Sequence, residues 1–445
     1  MNKQLICERS RISRLLVGLS LSLFGLLFLV QNSYAKLEIE ILEGVSGAIP
    51  IAIVPLKWEA TTPPPSTLPN TVVSADLYRS GLFSPLPAED IIATPANGDE
   101  IRFAAWQALK NDYIVVGKIS GDVVDGYEVS FELFDIHTQQ RLLARVFPVK
   151  PGDLRHAAHR IADAVYERII GTPGAFATRI AYVTATGTGD NIEFQLMVAD
   201  ADGFSPQAIA TSPEPLMSPA WSPDGNRIAY VSFEKGNSAV YIQNILTGSR
   251  QLISSFKGIN GAPSFSPDGH RLAVSLSKSG NSEIYLHTLG SSEFTRLTNH
   301  WSIDTEPVWD SNGHYIYFTS DRAGRPQIYR IKVTGGNPER ISWEGDYNAR
   351  ASISPRNNKI AMVQGSKNRY RIAIQDLENN RLIVVTNGIL DESPSFAPNG
   401  SMILYASKEN GKGVLLAVSV DGRVKQRLVL SEGDVREPAW SPIIQ

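Results

Sequence analysis

Pro219-Ala220-Trp221-Ser222-Pro223-Asp224-Gly225, followed by the strand-like run Arg227-Ile228-Ala229-Tyr230-Val231, is written six times in this chain. The copies begin at Pro219, Pro263, Pro307, Ala351, Pro394 and Pro438, in steps of 44, 44, 44, 43 and 44 residues. A period of about 40–45 residues with several short strands per unit is the signature of a β-propeller with one blade per repeat. The third residue of each copy (Trp221, Phe265, Trp309, Ile353, Phe396, Trp440) falls at the same point of the innermost strand, where it can wedge between blades. An aromatic ring there buries roughly 150–250 Å², on the order of 4–6 kcal/mol as an upper bound. The Ser-Pro-Asp-Gly that follows is turn chemistry: Pro fixes φ, Asp bonds its own backbone and Gly accepts positive φ.

The strand after the turn also occurs six times, from Ile180, Ile228, Leu272, Ile316, Ile360 and Ile403. The first lacks a preceding Pro-x-Trp, and the last Pro-x-Trp, at Pro438, lacks a following strand. The count therefore predicts that residues 437–442 supply the inner strand of the blade begun at Ile180, closing a six-bladed ring so that no edge is left exposed.

The 445 residues are 42% apolar and 20% charged, enough for two or three domains with substantial cores. The first 35 read as an export signal: Lys3, Arg9, Arg11 and Arg14, then an apolar run over 15–30, then Ser33-Tyr34-Ala35. The expected mature start is Lys36. The only cysteine, Cys7, leaves with that segment and is not at the cut, which argues against both disulfides and a lipoprotein anchor. Taking Lys3, Arg9, Arg11, Arg14 and Glu8 from 42 Lys+Arg and 45 Asp+Glu leaves 38 against 44, a net charge of about −6. A mildly acidic chain without a basic run does not suit nucleic acid.

Between the signal and the repeats the pattern is mixed α/β, expected over residues 36–172, with 171–177 as the joint and 173–445 as the propeller. Residues 37–42 alternate as Leu-Glu-Ile-Glu-Ile-Leu, a lone amphipathic strand that must pair with something. From pattern alone an edge of its own sheet is the simpler account, and a detachable strand offered to a partner is the other. Residues 49–56 suit a buried strand, and 61–69, with four prolines, a loop. Helices are predicted over 71–82 and 99–110, the second burying Ile101, Ala105, Ala108 and Leu109 with Trp106 beside them. Strands are expected over 113–119, 127–134 and 141–149. A long helix then starts after Pro151-Gly152-Asp153 and stops at Gly171.

Signs of catalysis are few. The nucleophile elbow Gly-x-Ser-x-Gly, the phosphate loop and the dinucleotide fingerprint are all absent, so no cofactor is expected. His156 and His159, three apart on the long helix, read as a solvated face because no third metal ligand stands nearby. His270 and His314 read as exposed turn residues. The loops before the inner strands carry Glu214, Asp304, Glu306, Asp346, Asp391, Glu392, Asp434 and Glu437 against Arg350 and Arg436. This is either ordinary surface charge or an acidic mouth that steers a basic partner or holds a cation. The corresponding enzyme alternative is a propeller hydrolase or lactonase using channel carboxylates and a divalent metal.

Several stretches together carry a family resemblance. They are Gly174-Ala175-Phe176-Ala177-Thr178-Arg179-Ile180-Ala181-Tyr182-Val183, Asn260-Gly261-Ala262-Pro263-Ser264-Phe265, Ser320-Asp321-Arg322-Ala323-Gly324-Arg325-Pro326-Gln327, Ile341-Ser342-Trp343-Glu344-Gly345 and Leu390-Asp391-Glu392-Ser393-Pro394-Ser395. With the export signal, the small α/β domain and the six blades, the chain resembles the TolB family of periplasmic Tol-Pal proteins over essentially its whole mature length. The resemblance implies a non-enzymatic adaptor that binds the lipoprotein Pal at the propeller mouth, and through Pal associates peripherally with the outer membrane. It implies that the mature N-terminus binds TolA, that the pair supports outer-membrane integrity and constriction at division, and that bacteriocins are candidate ligands of the same mouth. Carried over by position, the Pal-facing residues are Ile259, Ala262, Thr305, Glu306, Asp391 and Glu392, and the TolA-facing ones Lys36, Leu37, Glu38, Ile39, Glu40 and Ile41. This reverses the simpler reading of the first strand. Two repeats depart from the blade motif, Ile353-Ser354-Pro355-Arg356-Asn357-Asn358 and Asp310-Ser311-Asn312-Gly313, both in turns on the side away from the mouth.

Overall fold

A computed structural model of the chain describes residues 39–43, 47–189, 191–428 and 433–443. The export segment expected over 1–35, and Lys36, Leu37 and Glu38 of the expected TolA-facing run, lie outside the described residues. Among the described residues no helix is long and apolar enough to cross a membrane.

The N-terminal unit is built on strands β2 (Ile49–Ile53), β3 (Lys57–Trp58), β4 (Phe83–Pro85), β5 (Tyr113–Asp122), β6 (Gly126–Asp135) and β7 (Arg141–Val149). Their order is β4-β2-β5-β6-β7 with β3 beside β5; β2 is parallel to β4 and β5, and β5 to β7 form an antiparallel meander. Period-two alternation sends β2 to two cores at once. Ile51 and Ile53 pack with Val73 and Leu77 of α1 (Pro69–Arg79) and Ile161 and Val165 of α3 (Leu154–Ile170). Ala52 and Val54 face the other way, onto Trp106 of the short helix α2 (Phe103–Ala108).

The sequence placed α2 over 99–110 with Ile101, Ala105, Ala108 and Leu109 as its buried stripe, of which Ile101 is buried. Instead a 3₁₀ turn fills Gly98–Glu100, and Trp106, 1% exposed, anchors the helix while Ala108 lies outside. A ring that large fills the space beneath the sheet, which alanines cannot. Helix α1 begins at Pro69, where a missing N–H costs nothing. α3 ends at Gly171 in the left-handed conformation, φ 83°.

The propeller has six antiparallel four-stranded sheets. The inner strand of blade 1, Asp434–Trp440, comes from the C-terminal end and pairs with Arg179–Thr186. The remaining inner strands are Leu216–Trp221, Asn260–Phe265, Asp304–Trp309, Tyr347–Ile353 and Glu392–Phe396. Trp221 Nε1 donates to the carbonyl of Ala439 in blade 1 at 3.0 Å, and Trp309 Nε1 to that of Ser264 in blade 3 at 3.1 Å. The repeated aromatic thus joins neighbouring blades by a hydrogen bond as well as by area.

The turn motif is equally explicit. Ser222 Oγ accepts the Arg227 N–H at 2.9 Å and donates to Asp224 Oδ1 at 2.5 Å. In blade 4 the serine is replaced by Asp310, whose Oδ1 accepts the N–H groups of His314 and Tyr315 at 2.7 and 2.9 Å. In blade 5 Asn357 takes the glycine's positive φ, 57°, and Ser354 Oγ accepts the Lys359 N–H at 3.0 Å. Both departures from the motif keep its hydrogen bonds.

Strand β1 (Ile39–Glu43) is not an edge of the N-terminal sheet. It pairs antiparallel with Lys425–Leu428, the outer strand of blade 6, with Ile39 opposite Leu428 and Ile41 opposite Gln426. The blade thereby becomes five-stranded and its edge is covered.

Candidate functional site: the propeller mouth

Each inner strand carries the same irregularity. Its ladder with the second strand shifts register once, at 217–220 in blade 2 and equivalently elsewhere. The residue there, Ser218, Ala262, Glu306, Arg350, Ser393 or Glu437, has φ between 45° and 56° and is not glycine. The proline that follows at five of the six cannot donate to the ladder, which accommodates it at a bulge. Left-handed backbone at an L residue is strained and persists where surrounding structure over-determines it. The six bulges occupy the same position in the inner strand of each blade.

Three of those side chains are charged. Arg350 forms a two-bonded ion pair with Glu437, Nη1 to Oε1 at 3.0 Å and Nη2 to Oε2. Glu306 Oε2 accepts from Thr319 Oγ1 at 2.8 Å and from the Arg350 N–H at 3.0 Å. Glu437 Oε2 also accepts the Ser218 N–H at 3.2 Å. Burial draws the Arg350 guanidinium down, but Glu437 above all, with Glu306 and Glu392, holds it above its ordinary value. The Glu392 carboxyl is pushed up by its burial and by the Glu437 charge. Five of the six bulge residues, Ser218, Ala262, Glu306, Arg350 and Ser393, line a cavity of about 310 Å³ together with Ala220, Val308 and a run of prolines. Of the channel carboxylates, Glu437 is thus already paired with a cation of the chain itself.

The acidic mouth is narrower than the sequence count suggests. Asp304 and Asp391 are fully buried inside their blades. Asp304 accepts two hydrogen bonds from Arg322 at 2.7 and 2.8 Å. Asp391 accepts from Thr386 Oγ1 and Ser407 Oγ at 2.6 Å each and from the Gly388 N–H at 3.2 Å. Asp391, expected to face a partner, is therefore a brace for the loop and touches no solvent. Its neighbour Glu392, with Glu306, Thr305 and Ala262, is half-buried, and Ile259 is exposed.

Of an apolar rim, sequence reasoning named only Ile259. Ile259, Trp301, Ile303, Trp343 and Ile389, in the loops before inner strands of blades 3 to 6, are 52–80% exposed. The three isoleucines are pinned by their backbones: the Ile259 N–H donates to Ser277 Oγ at 2.7 Å and the Ile303 N–H to Asp321 Oδ1 at 2.8 Å, while the Ile389 carbonyl accepts from the Tyr370 N–H at 2.9 Å. Large apolar side chains held out on ordered loops around one opening mark an interaction surface. The signal was available, since Ile259 and Ile303 each stand four residues before the repeated proline. A notch of about 270 Å³ between Arg325, Asp346, Tyr347 and the 365–370 turn opens on the same rim.

One cluster lies away from the mouth. His159, read from sequence as part of a solvated helix face, is 1% exposed and hydrogen-bonded to Asp76. The third group that sequence could not see is Asp202 of the propeller; Asp76, His159 and Asp202 bring potential ligand atoms within 4.8 Å of one another. Arg79 and Arg155 already pair with the two carboxylates, so the chain supplies its own positive charge there. His270 and His314 are exposed in their turns.

Comparison with known proteins agrees along the whole described chain. Residues 37–142 match the model of the TolB amino-terminal domain and residues 166–444 that of the TolB beta propeller domain. The chain is 58% identical over 421 residues to the Tol-Pal system protein TolB of Xanthomonas campestris pv. campestris, covering 94% of this chain and 96% of that one. It is 58% identical over 431 residues to the protein of that name from Xanthomonas oryzae pv. oryzae, covering 96% and 98%. The crystal structure of TolB from Acinetobacter baumannii is 41% identical and superposes with a TM-score of 0.84, covering 92% of this chain and all of that one.

Proposed function

The chain belongs to the TolB family, and on that premise we propose that it is a non-enzymatic periplasmic adaptor of the Tol-Pal system. The propeller mouth receives Pal, and the mature N-terminus, with Ile39, Glu40 and Ile41 at its described end, is the segment offered to TolA. By joining the two, the protein supports outer-membrane integrity and constriction during cell division.

The observation that carries this reading is the pinned apolar rim standing over a ring of charge at the mouth. The rim supplies desolvated contact area for a protein partner, and Glu306 and Glu392 supply orientation and steering. Ile259, Ala262, Thr305, Glu306 and Glu392 are the proposed contacts, with Asp391 holding the 385–391 loop from within. The pairing of β1 with an outer blade strand supports the second half, because an added edge strand is held by one ladder and can be exchanged for a partner's. A ligand at the mouth then biases whether that strand stays docked.

Calorimetric titration of residues 36–445 with the periplasmic domain of Pal from the same source tests the reading, beside the Thr305→Arg variant. Micromolar or tighter binding that the variant loses is expected. No heat with correctly folded protein would reject the mouth as a Pal site.

A further inference from the structure

The contact between the N-terminal unit and blade 1 is organised about a histidine that the mouth does not use. His159 of α3 donates through Nδ1–H to Asp76 Oδ2 of α1 at 2.6 Å. Among the described residues its Nε2 has no hydrogen-bond partner, and it lies 3.8 Å from Asp202 Oδ2, in the turn that follows the blade 1 strand Glu193–Asp200. With Nδ1 protonated, a neutral ring would point the Nε2 lone pair at a carboxylate in a buried site. A second proton turns that repulsion into an ion pair joining helix to blade.

The surrounding charges favour the proton. On α1 stand Asp76 and Arg79, the latter bonded to Asp76 Oδ1 at 3.0 Å. On α3 stand Arg155, paired with Asp202 and 3.9 Å from Asp200, and Asp163, which accepts the Phe176 and Ala177 N–H groups. The propeller adds Asp200, Asp202 and Arg179. Four carboxylates (Asp76, Asp163, Asp200, Asp202) then face three guanidinium groups (Arg79, Arg155, Arg179), one negative charge in excess until His159 is charged.

We propose that His159 is a buried proton-binding site which, when charged, clamps the N-terminal unit onto the first blade by bridging Asp76 and Asp202. Burial draws the imidazole down, yet the Asp76 charge and hydrogen bond and the Asp202 charge outweigh it and hold it above 6.5. A histidine raised in this way stabilises the contact fully below about pH 6.5, and the stabilisation is lost as pH rises through the folded value. His156, one turn back, is drawn the opposite way by burial and by His159, and so gives up its proton earlier.

The clamp also touches the seat of β1. The Arg79 carbonyl accepts from the side chain of Gln426, the residue opposite Ile41. Resting on the reading of β1 as the partner segment, opening the clamp at higher pH loosens the brace behind that strand.

The test is a ring-carbon NMR titration of His159 in residues 36–445, with amide hydrogen exchange at pH 6 and 8 corrected for intrinsic rates. The His159 pKa should lie above 6.5 and fall by about a unit or more in Asp202→Asn, which leaves the Asp76 bond in place. Exchange in the 200–204 turn should rise at least fivefold from pH 6 to 8 in the parent and stay flat in His159→Gln. A ring already neutral at pH 6, a pKa unmoved by Asp202→Asn, or the same exchange response in His159→Gln would overturn the proposal. If His159→Gln does not fold, the Asp202→Asn titration decides alone, and neither result depends on Pal or TolA binding.

Discussion

Arg350 of blade 5 and Glu437 of blade 1 hold each other across the channel, although blade 6 lies between their strands. The pair ties together the two ends of a run of three blades, half the ring. The charges of Glu306 and Glu392 also act on the same guanidinium and help to hold it above its ordinary value.

Removing Arg350 should cost more than an exposed salt bridge. Arg350→Ala leaves Glu437, whose side chain is 10% exposed, beside Glu392 without its partner. A loss of about 3 kcal/mol is expected, read by urea denaturation at pH 7. The loss should shrink toward pH 4.5 as the carboxylates take up protons, and an unchanged loss there would contradict the electrostatic account.

Asp391 separates a structural role from a contact role. Asp391→Ala strips the acceptor from Thr386, Ser407 and Gly388, and about 2–4 kcal/mol of stability should go with it. Affinity for Pal per folded molecule, measured well below the melting temperature, should change less than threefold. A loss of binding with stability intact would return Asp391 to the interface.

Rim residues should behave in the opposite way. Ile259→Asp and Ile303→Asp place a charge on side chains that are 52% exposed, so stability should move by no more than about 0.5 kcal/mol. Pal binding should weaken by tenfold or more in each, seen by calorimetry as a raised Kd. Wild-type affinity in both would remove the rim from the site.

Asp163 gives a pH signature of its own. Burial pushes its carboxyl up to about 6 despite the two N–H groups it accepts. A carboxyl raised in the folded state binds its proton more tightly there, so stability falls as pH rises from about 3.8 through 6. The contribution is about 3 kcal/mol. Asp163→Asn should flatten that decline in a plot of unfolding free energy against pH, and a parallel curve would show that the carboxyl is not responsible.

Much of the site was legible because it is periodic. The loops before the repeated inner strands brought Glu306 and Glu392 to one end of the propeller in the sequence reading, whereas Ala262 came only from the family resemblance. What failed was the facing of individual carboxylates. Asp391 and Glu392 are adjacent, and in a strand adjacent residues face opposite sides; which of the two was turned inward depended on the hydroxyls of Thr386 and Ser407. The same held for His159, whose environment is supplied by Asp76, 83 residues earlier, and Asp202, 43 residues later.

The sequence by itself determined the blade count, the closure of blade 1 by the C-terminal strand, and the mixed α/β character of the N-terminal unit, because these follow from local turn chemistry and hydrophobic period repeated along the chain. Tertiary structure alone decided that β1 joins blade 6, that Arg350 fills the acidic ring, and that His159 is sealed between two units. Those outcomes depend on which charges and unpaired strand edges meet in space, and Coulomb and hydrogen-bond energies act over a few ångströms with no regard for sequence separation.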